Sequence, residues 1–124
     1  MALIEPLLIA WLRADLGLDA RTETPAQLET RIPLVQLARI SGGDDTFRLD
    51  YPVVDVDAFA ADRLSAATLA ENVRASLMRL QWHGVFQQAV VTDVVARIRP
   101  RWLPYDNAAV RRYGATYAFA VHDA

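Results

Sequence analysis

The chain has no cysteine among its 124 residues, which excludes disulfides, thiol catalysis and cysteine-ligated zinc and leaves the fold to rest on packing alone. It has no lysine either: all 13 basic residues are arginine, a bias that GC-rich coding produces, and one whose planar guanidinium also suits interface ion pairs. Positive charge is not in excess. With a formal net charge of -2 and a pI near 5.6, a global basic field for gripping nucleic acid is lacking. No apolar run is long enough to span a bilayer, so no membrane partner is expected. The apolar first twelve residues carry Glu5 and Pro6 and lack a basic leader; a secretory signal is therefore not expected, and synthesis and assembly in the cytoplasm are. A G-x-S-x-G elbow and the lysine of a phosphate-binding loop are both missing, which leaves acyl-transfer hydrolysis and nucleotide binding without support. Internal repeats and low-complexity segments are absent as well.

What is present is apolar. Hydrophobic residues make up 53% of the chain, above the usual range for a small soluble domain, and the length predicts one domain over residues 1–124 with its own core. The surplus predicts contacts beyond one subunit. Ile4, Leu7, Leu8, Trp11, Leu12 and Leu16 recur at helical spacing up to Gly17, an amphipathic helix with Pro6 near its first turn. Residues 21–30 read as an extended entry followed by a turn of helix. Residues 32–40 are rich in branched apolar side chains, and Gly42, Gly43, Asp44 and Asp45 then signal a hairpin to a short strand at 46–49. Val53, Val54, Val56, Phe59 and Ala60 form the third strand. Leu69, Val73, Leu77 and Leu80 make one face of a second helix over 64–81, with Asp62 or Ser65 as its cap. Residues 86–98 alternate as the longest strand, with Phe86, Gln88, Val90, Thr92, Val94, Ala96 and Ile98 on one face. In the last strand Tyr113, Ala115, Tyr117, Phe119 and Val121 share a face. The order α-β-β-β-α-β-β predicts an α+β fold, two amphipathic helices on a mostly antiparallel sheet.

Signals for chemistry are sparse. Asp50, Asp55 and Asp57 lie close in sequence, and the last two share a strand face, as a two-carboxylate metal site would require. Alternation of aspartate with valine is also what a half-solvated strand looks like, and no histidine lies nearby in sequence. His83 and His122 are isolated, and the pair His122-Asp123 is expected to fray at the chain end. No catalytic residue, metal site or cofactor is assigned. The most informative segment is 99–116, RPRWLPYDNAAVRRYGAT. Pro100 and Pro104 oppose a continuous helix or a central strand, so residues 99–110 read as a long loop carrying Trp102, Leu103 and Tyr105. These aromatics either close the subunit's own core or anchor a subunit interface, where Trp, Tyr and Arg are enriched.

The pattern PLVQLARISGGDD at 33–45, followed by FRLDYPVVDVDAFA at 47–60, then a helix, then RWLPYDN and RRYGATY, resembles the small tail terminator or tail completion proteins of long-tailed bacteriophages that infect actinobacteria. The resemblance runs from about Thr22 to His122. It implies a non-enzymatic virion protein in the neck region, forming a ring, commonly of six subunits, on the head-proximal end of the tail tube. Such a ring ends tube polymerisation and joins the tail to the head. Its partners would be further copies of itself, the tail tube protein and the head-tail connector or stopper protein, with DNA in transient passage through the lumen. Other neck components, such as a head-tail stopper or a minor tail protein, share the pattern, and a small metal-dependent enzyme is the remaining alternative. The positions matched are Asp44 and Asp45 at the expected hairpin tip, and Trp102, Tyr105 and Asn107, with Pro104, in the aromatic segment; with Arg101 these form the candidate interface. A ring requires two different patches per subunit that close by rotation.

Overall fold

The computed structural model describes residues 3–46 and 49–124. The first helix, α1 (Ile4–Leu16), presents Ile4, Leu7, Leu8, Trp11 and Leu12 to the core and ends where Gly17 turns left-handed (φ 66°), its N–H returning to the Arg13 carbonyl. A positive φ at this position favours glycine because no Cβ is present to clash. The chain then forms β1 (Ala20–Arg21), a single 3-10 turn (Leu28–Thr30), β2 (Leu34–Ser41), a short pair β3 (Asp44–Thr46) and β4 (Leu49–Asp50), and β5 (Val53–Ala60). The second helix, α2 (Arg63–His83), is capped by Asp62, whose carboxylate accepts the Ser65 backbone N–H at 2.8 Å and its hydroxyl at 2.9 Å. The chain closes with β6 (Val85–Phe86), β7 (Ala89–Leu103) and β8 (Arg111–Asp123).

One sheet holds all the strands. β8 is its centre: β5 and β4 pair along one side of it and β7 along the other. β2 follows β5 outward, and β1 joins β2 in parallel, while every other pairing is antiparallel. This is the predicted α+β architecture. Both helices cover one sheet face, where their apolar residues meet Val35, Leu37, Val54, Val56, Val91, Val94, Tyr117, Phe119 and Val121. Trp11 ties the helices together by donating its indole N–H to the Ser76 carbonyl at 3.0 Å. A smaller cluster of Leu28, Leu34, Phe59 and Val110, with Ile32 and Tyr105 against it, lies on the opposite face and covers only one end.

Four expectations change. The hairpin at residues 42–45 is not a link between paired strands, because β2 pairs with β5. The glycines instead turn the chain out of β2. A Cβ on Gly42 (φ 102°) would stand 2.0 Å from the Tyr51 carbonyl oxygen, so only glycine fits. The hairpin is β3–β4, with Asp44 and Asp45 in its first strand, and the Phe47 and Arg48 of the expected 46–49 strand lie outside the described residues. Residues 86–98 are not one strand. Gln87 and Gln88 (φ 53° and 65°) make a two-residue turn that pairs Phe86 with Ala89, the twist-matched kind of hairpin turn.

The alternation in β7 also breaks. Val91 pairs with Val121 and Asp93 with Ala120, so Thr92 is an extra residue. This bulge moves the inward set from Ala89 and Val91 before it to Val94 and Ala96 after it. Finally, the chain end is not frayed: His122 pairs with both Leu49 and Val90, and the Ala124 N–H reaches the Gln88 carbonyl at 3.0 Å.

Candidate interface at the β7 edge and the β7–β8 loop

The segment expected to be a loop from 99 to 110 is strand as far as Leu103. Two circumstances admit Pro100. Among the described residues, β7 is bonded on one side only beyond its short pairing with β6, and the register shifts between Ile98 and Arg101, so the missing donor falls at a bulge on an edge strand. The true loop is 104–110.

The candidate residues point in different directions. Trp102 lies opposite Tyr113 on the helix face of the sheet, rings edge-on at 6.2 Å, and the Arg63 guanidinium at the start of α2 sits 4.6 Å over its indole. It is only half-buried. Tyr105 turns to the other face, edge-on to Phe59 at 5.2 Å, with Arg112 5.2 Å over its ring. Arg112 also donates to the Pro104 carbonyl at 2.9 Å, which fixes the loop's first residue. Asn107 accepts the Ala109 N–H and donates to the Glu29 carboxylate, both at 2.9 Å. The loop is thereby tied to the 3-10 turn, and Tyr105 covers the smaller core. Arg101 is exposed, paired in register with Gly114.

Asp44 and Asp45 are not brought to this end. β3 is held through β4 to the last residues of β8, at Val121 and His122, whereas Trp102 and Leu103 pair with Tyr113 and Arg112 at its beginning. Some ten residues of strand, about 34 Å at the usual rise, separate them.

The three aspartates have partners of their own. Asp50 takes a two-point contact from Arg39 at 2.8 and 2.9 Å, and Asp55 accepts the Thr116 hydroxyl at 2.6 Å. Burial pushes the Asp57 carboxyl above its ordinary range, opposed by the Arg112 guanidinium 4.0 Å away. Among the described residues no group of three or more His, Asp or Glu is placed to hold a metal ion. His83 packs edge-on against Trp11 and Phe86, centroids 5.0 and 5.7 Å apart.

Two features escape the sequence reading. Trp82, one residue beyond the expected helix end, is 83% exposed, and Val85 and Leu3 are exposed as well. The second is charge. Residues 1–62 hold eleven of the fifteen acidic residues, whereas residues 63–112 hold eight arginines and three acids. That asymmetry between parts of a nearly neutral chain was legible as an interaction signal. In the fold it places Arg97, Arg99 and Arg101, all exposed, along the free edge of β7.

Comparison of the sequence with protein-family models and with curated proteins returns no match. The fold is matched among solved structures. A chain of the "Virion of native gene transfer agent (GTA) particle" superposes with a TM-score of 0.69 at 17% identity, over 96% of this chain and 94% of that one.

Proposed function

We propose that this chain is a structural virion protein of the tail neck. It forms a ring, six-membered by the family pattern, that caps the head-proximal end of the tail tube, stops tube polymerisation and offers the surface on which the head-tail connector docks. The observation that carries the proposal is the fold shared with a virion chain over nearly the full length of both, in a sequence that independently resembles tail terminators. The free surface agrees with a subunit of an assembly. Trp82, Val85, Leu3 and Ile40 stand exposed, and large apolar side chains left in water gain from burial against a neighbour. No part of the role requires catalysis, and Asp50, Asp55 and Asp57 are engaged by Arg39, Thr116 and Arg112.

The test is assembly itself. Native mass spectrometry of the purified chain, alone and with tail tube ends, should show a closed oligomer, and labelled chain should be found at the neck of virions by electron microscopy. A chain that remains monomeric with tube ends present, and is absent from the neck, refutes the proposal. Location at the neck without any effect on tail length assigns it to the connector instead.

A further inference from the structure

We propose that the free β7 edge, flanked by α2, is the donor side of a head-to-tail contact whose acceptor side is the β1 edge of a second copy of this chain, where Glu23 stands exposed. The inference rests on the ring reading and says which surfaces close it. Arg97, Arg99 and Arg101 are exposed on the second half of β7, with no acidic residue among them, and none makes a hydrogen bond or ion pair with another described residue. Behind them Arg74 reaches Glu71 through Nη1 at 3.9 Å, but two donor atoms are unsatisfied. The Tyr117 hydroxyl and Arg74 Nε are buried without a hydrogen-bond partner among the described residues, and both Arg74 and Arg99 act electrostatically on that hydroxyl. An edge rich in donors and poor in acceptors calls for carboxylates.

The chain supplies them on its opposite side. Asp19 and Glu23 flank β1; Arg21 already engages Asp19, so the exposed Glu23 is the open carboxylate. From β1 through β2, β5 and β8 to β7 is four strand spacings, about 19 Å. That is more than twice the screening length of about 8 Å at physiological salt, so the two edges cannot neutralise each other within one subunit. Two unlike patches on opposite edges of one sheet are what a rotational, head-to-tail contact requires. Val95 and Ile98, 47% and 41% exposed beside the arginines, favour a protein partner over a nucleic-acid backbone, to which apolar side chains contribute little.

Charge reversal tests both sides. Native mass spectrometry and sedimentation velocity on the full chain, each variant checked for folding by circular dichroism, should show R97E/R99E and E23R each assembling roughly tenfold or more weakly than the wild type. Mixing the two variants should restore the oligomer as an alternating ring, because each interface then joins opposite charges. Rings formed as readily by R97E/R99E as by the wild type, or no rescue on mixing, overturn the edge assignment and leave the ring reading standing. So does binding of double-stranded DNA that R97E/R99E abolishes while E23R assembles normally. A wild-type chain that never assembles overturns both.

Discussion

At the scale of single residues, the aromatic segment separates into side chains with different tasks. Tyr105 covers the small core through Phe59 and is held by Arg112, whereas Trp102 lies half-exposed between Tyr113 and Arg63. In denaturant unfolding of the free chain, Tyr105→Ala should cost about 2–3 kcal/mol, as partial core truncations do. Trp102→Ala should cost about 1 kcal/mol, the scale of an aromatic pair and an exposed cation–π contact. The reverse order would show that Trp102 is the main intramolecular closure. Asp15 carries a pH signature. The Ser76 hydroxyl (2.5 Å), followed by the Arg79 guanidinium (2.6 Å), holds its carboxyl below the ordinary range. A folded-state value below the unfolded one means that the contribution is complete above about pH 4 and disappears as pH falls through the lowered value. Wild type should therefore lose stability relative to Asp15→Asn only on acidification below about pH 4, and a difference independent of pH there would contradict it.

At the scale of elements, periodicity located both helices, β2, β5 and β8, because each buries a regular stripe or alternating face on the core. It failed where the backbone departs from regularity. Thr92 and the irregularity beside Pro100 are extra residues in β7, and nothing in side-chain type marks a bulge when polar and apolar residues mix at an exposed edge. Gln87 and Gln88 likewise take up positive φ without the glycine or asparagine that advertises such a turn. Pro100 excludes a central strand and not an edge, so β7 continues through it to Leu103. The interface candidates at residues 101–107 were legible as a segment. Their separation onto two sheet faces was not, because it depends on the register with β8. The bulge itself is testable. Deleting Thr92 leaves Val94 and Ala96 facing the helices, so the chain should remain folded with a small change in melting temperature. Deleting Val95 turns Arg97 toward the core position opposite Tyr117 and should prevent stable folding. Equal tolerance of the two deletions in circular dichroism would show that the register is not fixed in this way.

At the scale of the whole molecule, two helices on one face and a partial second core on the other leave most of the outer sheet face and one long sheet edge uncovered. That architecture was legible from the order of elements. The polarity of the molecule, with Glu23 exposed beside β1 and Arg97, Arg99 and Arg101 exposed on β7, appears only once the strand order is known, because that order puts the two strands on opposite sides of the sheet. The bulged end of β7 carries a further consequence. An uncovered strand ordinarily invites another strand to continue the sheet, an addition with no natural end. Here Pro100 removes a donor, three register shifts bend the ladder, and three arginines repel an identical edge approaching it. Growth by sheet extension through this edge is thus closed. Whatever joins the subunit at this edge must do so through side chains, and in the ring proposed above the number of copies would then be set by the angle between neighbours.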